Sequence, residues 1–234
     1  MSHTDKCSAV VELMKEFEAT AESSYRLFLA ERVKVTTNPD TILGIRMGVI
    51  RRFARTLSKL ITYEDTLELL YPKAIQWYEY KLLFGLIVQR VLPLVRVGDV
   101  LPLFYNLCDG WAVPDLYQSI LGDFAIRGGL REVLSSVEAN TTSPNPFARR
   151  LTVVVQMPLN KLELIPIEDA LAQCQSLQWD HEYLVQMGVA WTLSELYINH
   201  PEEVERFVNS GEISSEPVLK KYRQKLRDSL RLKN

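Results

Sequence analysis

Cysteine and histidine are scarce in this chain of 234 residues, three of each. Cys7, Cys108 and Cys174 are widely separated and odd in number, which argues against a disulfide framework and leaves no cysteine-based metal spacing. His3, His181 and His200 are equally scattered, so neither a metal site nor a Cys/His catalytic pair is visible along the chain. Gly-x-Gly-x-x-Gly and P-loop patterns are absent, which removes the usual signatures of dinucleotide and nucleoside triphosphate binding, and no cofactor is expected. No apolar run is long enough to cross a bilayer, and the opening MSHTDKCSAV has no apolar signal core, so a cytoplasmic location with no membrane partner is the expectation. A linker rich in Pro, Gly or Ser is also missing, and residues 1–234 read as a single domain, expected to act as a monomer.

What is present is an apolar fraction of 47% beside 24% charged residues, the balance of a folded chain rather than a disordered one. The formal net charge of -2 is unevenly spread. Val218 to Asn234 holds Lys220, Lys221, Arg223, Lys225, Arg227, Arg231 and Lys233 against Asp228 alone, a local charge of +6 that leaves -8 on the rest. Two readings fit that segment: a solvated last helix whose basic end complements the helix dipole, or an electrostatic footprint for phosphates.

Helical periodicity dominates. It runs through Val10 to Leu29, returns at Val49 to Ile61, and recurs in segments starting at Tyr63, Glu79, Val97, Val113, Leu130, Phe147, Ile167, Glu182, Pro201 and Glu216. Between the first two, VKVTTNPDT (33–41) reads as loop, because β-branched residues and an Asn-Pro pair oppose a helix. Consecutive helical pairs start about 35 to 40 residues apart, the interval of HEAT-like repeats. The expected fold is therefore all-α, a curved superhelix of stacked helical pairs. On its surface Arg51, Arg55 and Lys59 are spaced four apart and predict one basic helix face. Arg149 and Arg150 open a later helix after a string of possible caps.

The stretch CDGWAVPD (108–115) concentrates unusual residues. Asp109 reads as the N-cap of a helix that begins at Gly110 or Trp111, with Pro114 in its first turn, where a missing N–H costs least. Asp115 follows Trp111 by four positions, which places carboxylate and indole on one helix face. Near the positive end of a helix that carboxylate should stay ionised, and beside an indole it suits a positively charged or electron-poor ligand. Packing explains a tryptophan equally well, and Trp191, in VQMGVAWTLSELY (185–197), reads either as core or as the wall of an aromatic notch.

Five segments, LGIRMGVIRRFAR (43–55), WYEYKLLFGLIV (77–88), CDGWAVPD, NPFARRLTVV (145–154) and VQMGVAWTLSELY, in this order and spacing resemble the DNA alkylation repair family of HEAT-like-repeat alkylpurine DNA glycosylases. The resemblance implies a basic cradle for duplex or distorted DNA, and hydrolysis of the glycosidic bond of cationic N3- and N7-alkylpurines without drawing the base into a deep pocket. It also implies that Trp111 lies against the lesion's deoxyribose and that Asp115 stabilises charge on the sugar and positions water. Arg150 would stand near the phosphate backbone and Trp191 would form the second aromatic wall. Arg51, Arg55, Lys59 and Arg149 are the residues expected to meet the DNA backbone.

One departure from the family pattern precedes the matched core. Excising members carry a short N-terminal helix that meets the lesion, whereas VKVTTNPDTI (33–42) has neither the length nor the composition for one; the chain resembles the short branch that lacks it. Three functions fit the residues: excision, non-catalytic binding of distorted DNA, and a helical-repeat scaffold for protein partners.

Overall fold

A computed structural model describes residues 3–229, with side chains from Ser8 onward. Every regular element among them is helical, as the periodicity predicts. Arg231, Lys233, His3 and Cys7 fall outside the residues whose side chains are described. The described residues form two compact units that divide between Leu116 and Tyr117.

The first unit holds α1 (His3–Ala19), α2 (Ser23–Leu27), α3 (Met47–Leu57), α4 (Tyr63–Leu69), α5 (Tyr71–Gln76), α6 (Tyr78–Val91) and α7 (Val97–Leu107). The helix expected from Val10 to Leu29 is broken, and the reason is local. Thr20 turns its hydroxyl onto the Phe17 carbonyl, while Glu22 leaves helical geometry to donate its N–H to Gly44 O at 3.0 Å. These bonds give the backbone a partner outside the helix. The core is aromatic: Phe17 meets the Phe53 ring edge-on at 5.4 Å and the Tyr80 ring at 5.2 Å, joining α1, α3 and α6. Such edge-to-face contacts add about 0.5–1.5 kcal/mol each beyond area burial.

The helix α8 (Ala112–Phe124) contains the division between the units. The second unit continues with α9 (Leu130–Asn140), α10 (Pro146–Val154), α11 (Gln156–Lys161), α12 (Ile167–Leu177), α13 (Tyr183–Asn199), α14 (Pro201–Asn209) and α15 (Glu216–Asp228). Tyr63, Val97, Leu130, Ile167 and Pro201, the five expected pair starts, each open a helix. Within this unit α13 packs against α10, α12, α14 and α15. Gly188 allows its close approach to α10, since a Cβ there would stand 3.2 Å from both Arg150 and Val153 side-chain atoms.

Candidate functional site

The CDGWAVPD turn is anchored differently from the expectation. The helix opens at Ala112, and Asp115 donates its N–H to Trp111 O at 3.2 Å, so Trp111 rather than Asp109 takes the capping position. Asp109 is turned away by Gly110, whose φ of +71° is a conformation in which side-chain-bearing residues are disfavoured. Its carboxylate instead accepts from the hydroxyls of Thr36 and Thr37, from Thr37 N at 3.1 Å, and from Lys81 Nζ at 3.0 Å. Burial pushes the Asp109 carboxyl up, but the Thr36 and Thr37 hydrogen bonds and the Lys81 charge outweigh it and hold the group below the usual carboxylate range.

The loop 33–37 thereby becomes part of the site. A Cβ on Gly110 would lie 2.1 Å from Val35 O, and the Trp111 indole N–H donates to Val33 O at 3.4 Å. Of the segment expected to be loop, residues 34–38 are, while Val33 ends a short π-helix and Pro39–Thr41 form a 3-10 turn, and the loop is clamped against the CDGWAVPD turn.

Beneath the first turns of α8 is a cavity of about 180 Å³ lined by Ala112, Leu116, Tyr25, Tyr78, Met47 and others of the same unit. Burial, then the nearby charges of Glu79, Tyr25 and Asp115, raise the Tyr78 phenol well above its ordinary value. Tyr25 and Tyr78 were not singled out by the sequence, because isolated tyrosines carry no spacing signal. The LGI segment that shapes this wall is fixed from below: buried Glu79 accepts from the N–H groups of Leu43, Gly44 and Ile45 at 2.8 to 3.1 Å.

A second feature of the first unit is a cleft of about 430 Å³ lined by Arg52, Arg55, Thr56, Ser58, Lys59 and Arg90. Arg55 and Lys59 are brought together as the spacing predicts, but Arg51, though exposed, lies outside the lining. Arg90 arrives from α6 and no local pattern announces it.

In the second unit Arg149 and Arg150 diverge. Arg149 forms a two-pronged pair with Asp180, at 2.6 and 3.0 Å, and gives its remaining donors to Ser143 O and Pro144 O. Burial raises the Asp180 carboxyl, but the Arg149 hydrogen bond and charge outweigh it and the net shift is downward. Arg150, only 5% exposed, donates to Leu184 O and lies against Gly188 of α13, one turn before Trp191. The half-buried Trp191 indole N–H reaches Glu195 at 3.3 Å, and Lys225 of the basic helix α15 stands 5.8 Å over its ring. Trp191 also walls a cavity of about 490 Å³ with Gln118, Met157, Asn160 and Lys161. His181 is exposed.

Other chemistries find little support here. Cys108 and Cys174 are fully buried and burial pushes both thiols up, so neither is an available thiolate. Among the described residues no group of three His, Cys, Asp or Glu side chains could hold a metal ion, and no helix is long and apolar enough to cross a membrane.

The fold defines the class as an all-α protein of packed helices, with a cationic cleft in its first unit. The model of the DNA alkylation repair enzyme family matches residues 13–231, nearly the whole chain, and the chain belongs to that family. Among curated proteins none matches it.

Proposed function

We propose that the protein binds duplex or distorted DNA and hydrolyses the N-glycosidic bond of cationic N3- and N7-alkylated purines. The observation that carries this reading is the turn that presents Trp111 and Asp115, held by the Trp111 bond to Val33 O and by the Asp109–Lys81 pair, at the start of the helix whose Ala112 and Leu116 line a small cavity with Tyr25 and Tyr78. At about 180 Å³ the cavity is smaller than an ordinary ligand pocket of about 300 Å³ or more, which suits part of a nucleotide rather than a base drawn in completely.

Alkylation at N3 or N7 gives the purine a positive charge, so it departs with little help from an acid. Charge then builds on the deoxyribose, where the Asp115 carboxylate stabilises it and directs water to the sugar carbon. Trp111 excludes other geometries by packing on the sugar. No second carboxyl group is required to protonate the leaving base, unlike in a paired-carboxylate glycosidase. Trp191 serves as an aromatic wall against DNA from the second unit, and Arg150 positions the start of its helix through Leu184 O.

Incubation of the purified protein with duplexes containing N7-methylguanine or N3-methyladenine should release the free base. A clean preparation that releases neither contradicts the catalytic reading. A binding-only reading is favoured by one observation, the cleft at Arg52, Arg55, Lys59 and Arg90, whose charge serves DNA capture whether or not a bond is broken. It predicts salt-sensitive binding without base release.

A further inference from the structure

The cationic cleft of the first unit carries more charge than its helices need. Basic side chains in a last helical turn complement the partial negative charge of the carbonyl end, and Arg90 does so directly by donating to Leu86 O at 2.7 Å. That accounts for about one cation per helix end. Arg52 and Arg55 of α3 and Lys59, two residues past its end, add three more, all exposed, and no carboxylate lines the cleft with them. None of the four forms an ion pair with a carboxylate among the described residues. Arg52 keeps its guanidinium over the Phe53 ring at 5.5 Å, which orients the group without neutralising it.

We propose that this cleft binds the terminal phosphate of a nicked DNA strand, a phosphomonoester, in preference to the internal phosphodiesters of intact duplex. The inference rests on DNA being the partner, as proposed above, and adds the strand end as the structure the cleft selects. Charge and geometry both favour it. A phosphodiester carries one negative charge and one pair of unesterified oxygens. A phosphomonoester carries about -1.5 to -2 at neutral pH and three oxygens, hence three oxygen pairs for guanidinium forks. Three arginines and a lysine drawn from two helices around one 430 Å³ cleft match the second group and exceed the first. Thr56 and Ser58 do not compete as donors, because their hydroxyls are directed to the carbonyls of Arg52 and Arg55.

The test is a binding comparison on the full chain with three otherwise identical duplexes: intact, nicked with hydroxyls on both sides, and nicked with one terminal phosphate, on the 5′ or the 3′ side. The phosphorylated nick should bind about tenfold more tightly than the unphosphorylated one. Millimolar inorganic phosphate should erase that difference, and the R52A/R90A double variant should bind the phosphorylated and unphosphorylated nicks with equal affinity. Equal affinity for both nicks, with intact duplex still bound, overturns the strand-end inference and leaves the DNA reading standing. Failure to bind any of the three at low salt overturns the DNA reading itself. Folding of the variant is checked by its circular dichroism, and R52K/R90K should recover part of the preference.

Discussion

Lys81 Nζ stands 3.0 Å from Asp109 Oδ2 in the interior of the first unit, and this ion pair ties α6 to the turn that presents Trp111 and Asp115. The Lys81 and Asp109 side chains are 8% and 19% exposed, so the pair is largely removed from solvent screening. Replacing Asp109 by Ala should cost about 3 kcal/mol or more, the usual penalty for taking one partner from a buried pair. Urea unfolding of D109A checks this.

The same pair sets a pH dependence. Because the folded Asp109 carboxyl is held below its ordinary value of about 3.9, its stabilisation is complete above that value and is lost as pH falls through the lower, folded one. The stability gap between wild type and D109N should therefore be widest near neutral pH and shrink below about pH 4. A gap that stays constant from pH 7 to pH 3 contradicts the assignment.

Gly110 is the second device that holds the turn. Its φ of +71° and the 2.1 Å approach to Val35 O leave no room for a side chain. G110A should lose about 1–2 kcal/mol for the left-handed conformation alone, and more from displacement of loop 33–37. The Trp111 indole would then lose Val33 O, which a change in near-UV circular dichroism reports.

The two neighbouring arginines of α10 should separate experimentally. All three guanidinium nitrogens of Arg149 serve Asp180 and the 143–144 carbonyls, so R149A should lower stability by about 3 kcal/mol and leave the salt dependence of DNA binding nearly unchanged. R55A and K59A should do the reverse. Each should reduce the slope of log affinity against log salt by about 1, with little effect on the melting temperature.

These contrasts mark where the sequence could be read and where it could not. The helix starts at Tyr63, Val97, Leu130, Ile167 and Pro201 were legible because apolar periodicity and local caps are properties of neighbouring residues. The Thr62–Asp65 capping box is one such local device. Asp109 was misread as a cap because its true partners, Thr36, Thr37 and Lys81, are distant in the chain and only folding brings them near. Arg52 rather than Arg51 lines the cleft with Arg55 and Lys59, because the cleft also takes in Arg90 of α6, which spacing along one helix does not report. Arg90 and Tyr25 had no signal at all and Tyr78 none of its own within WYEYKLLFGLIV, because each becomes notable only through a neighbour on another helix.

The most direct measurement of the central claim is the single-turnover rate of N7-methylguanine release from duplex DNA by wild type and by Asp115→Asn. The substitution keeps the size of the side chain and removes its charge. The account predicts measurable release by the wild type and a loss of about a hundredfold or more in D115N at unchanged DNA affinity. Equal release by the two proteins would contradict a role for the Asp115 carboxylate in the chemistry.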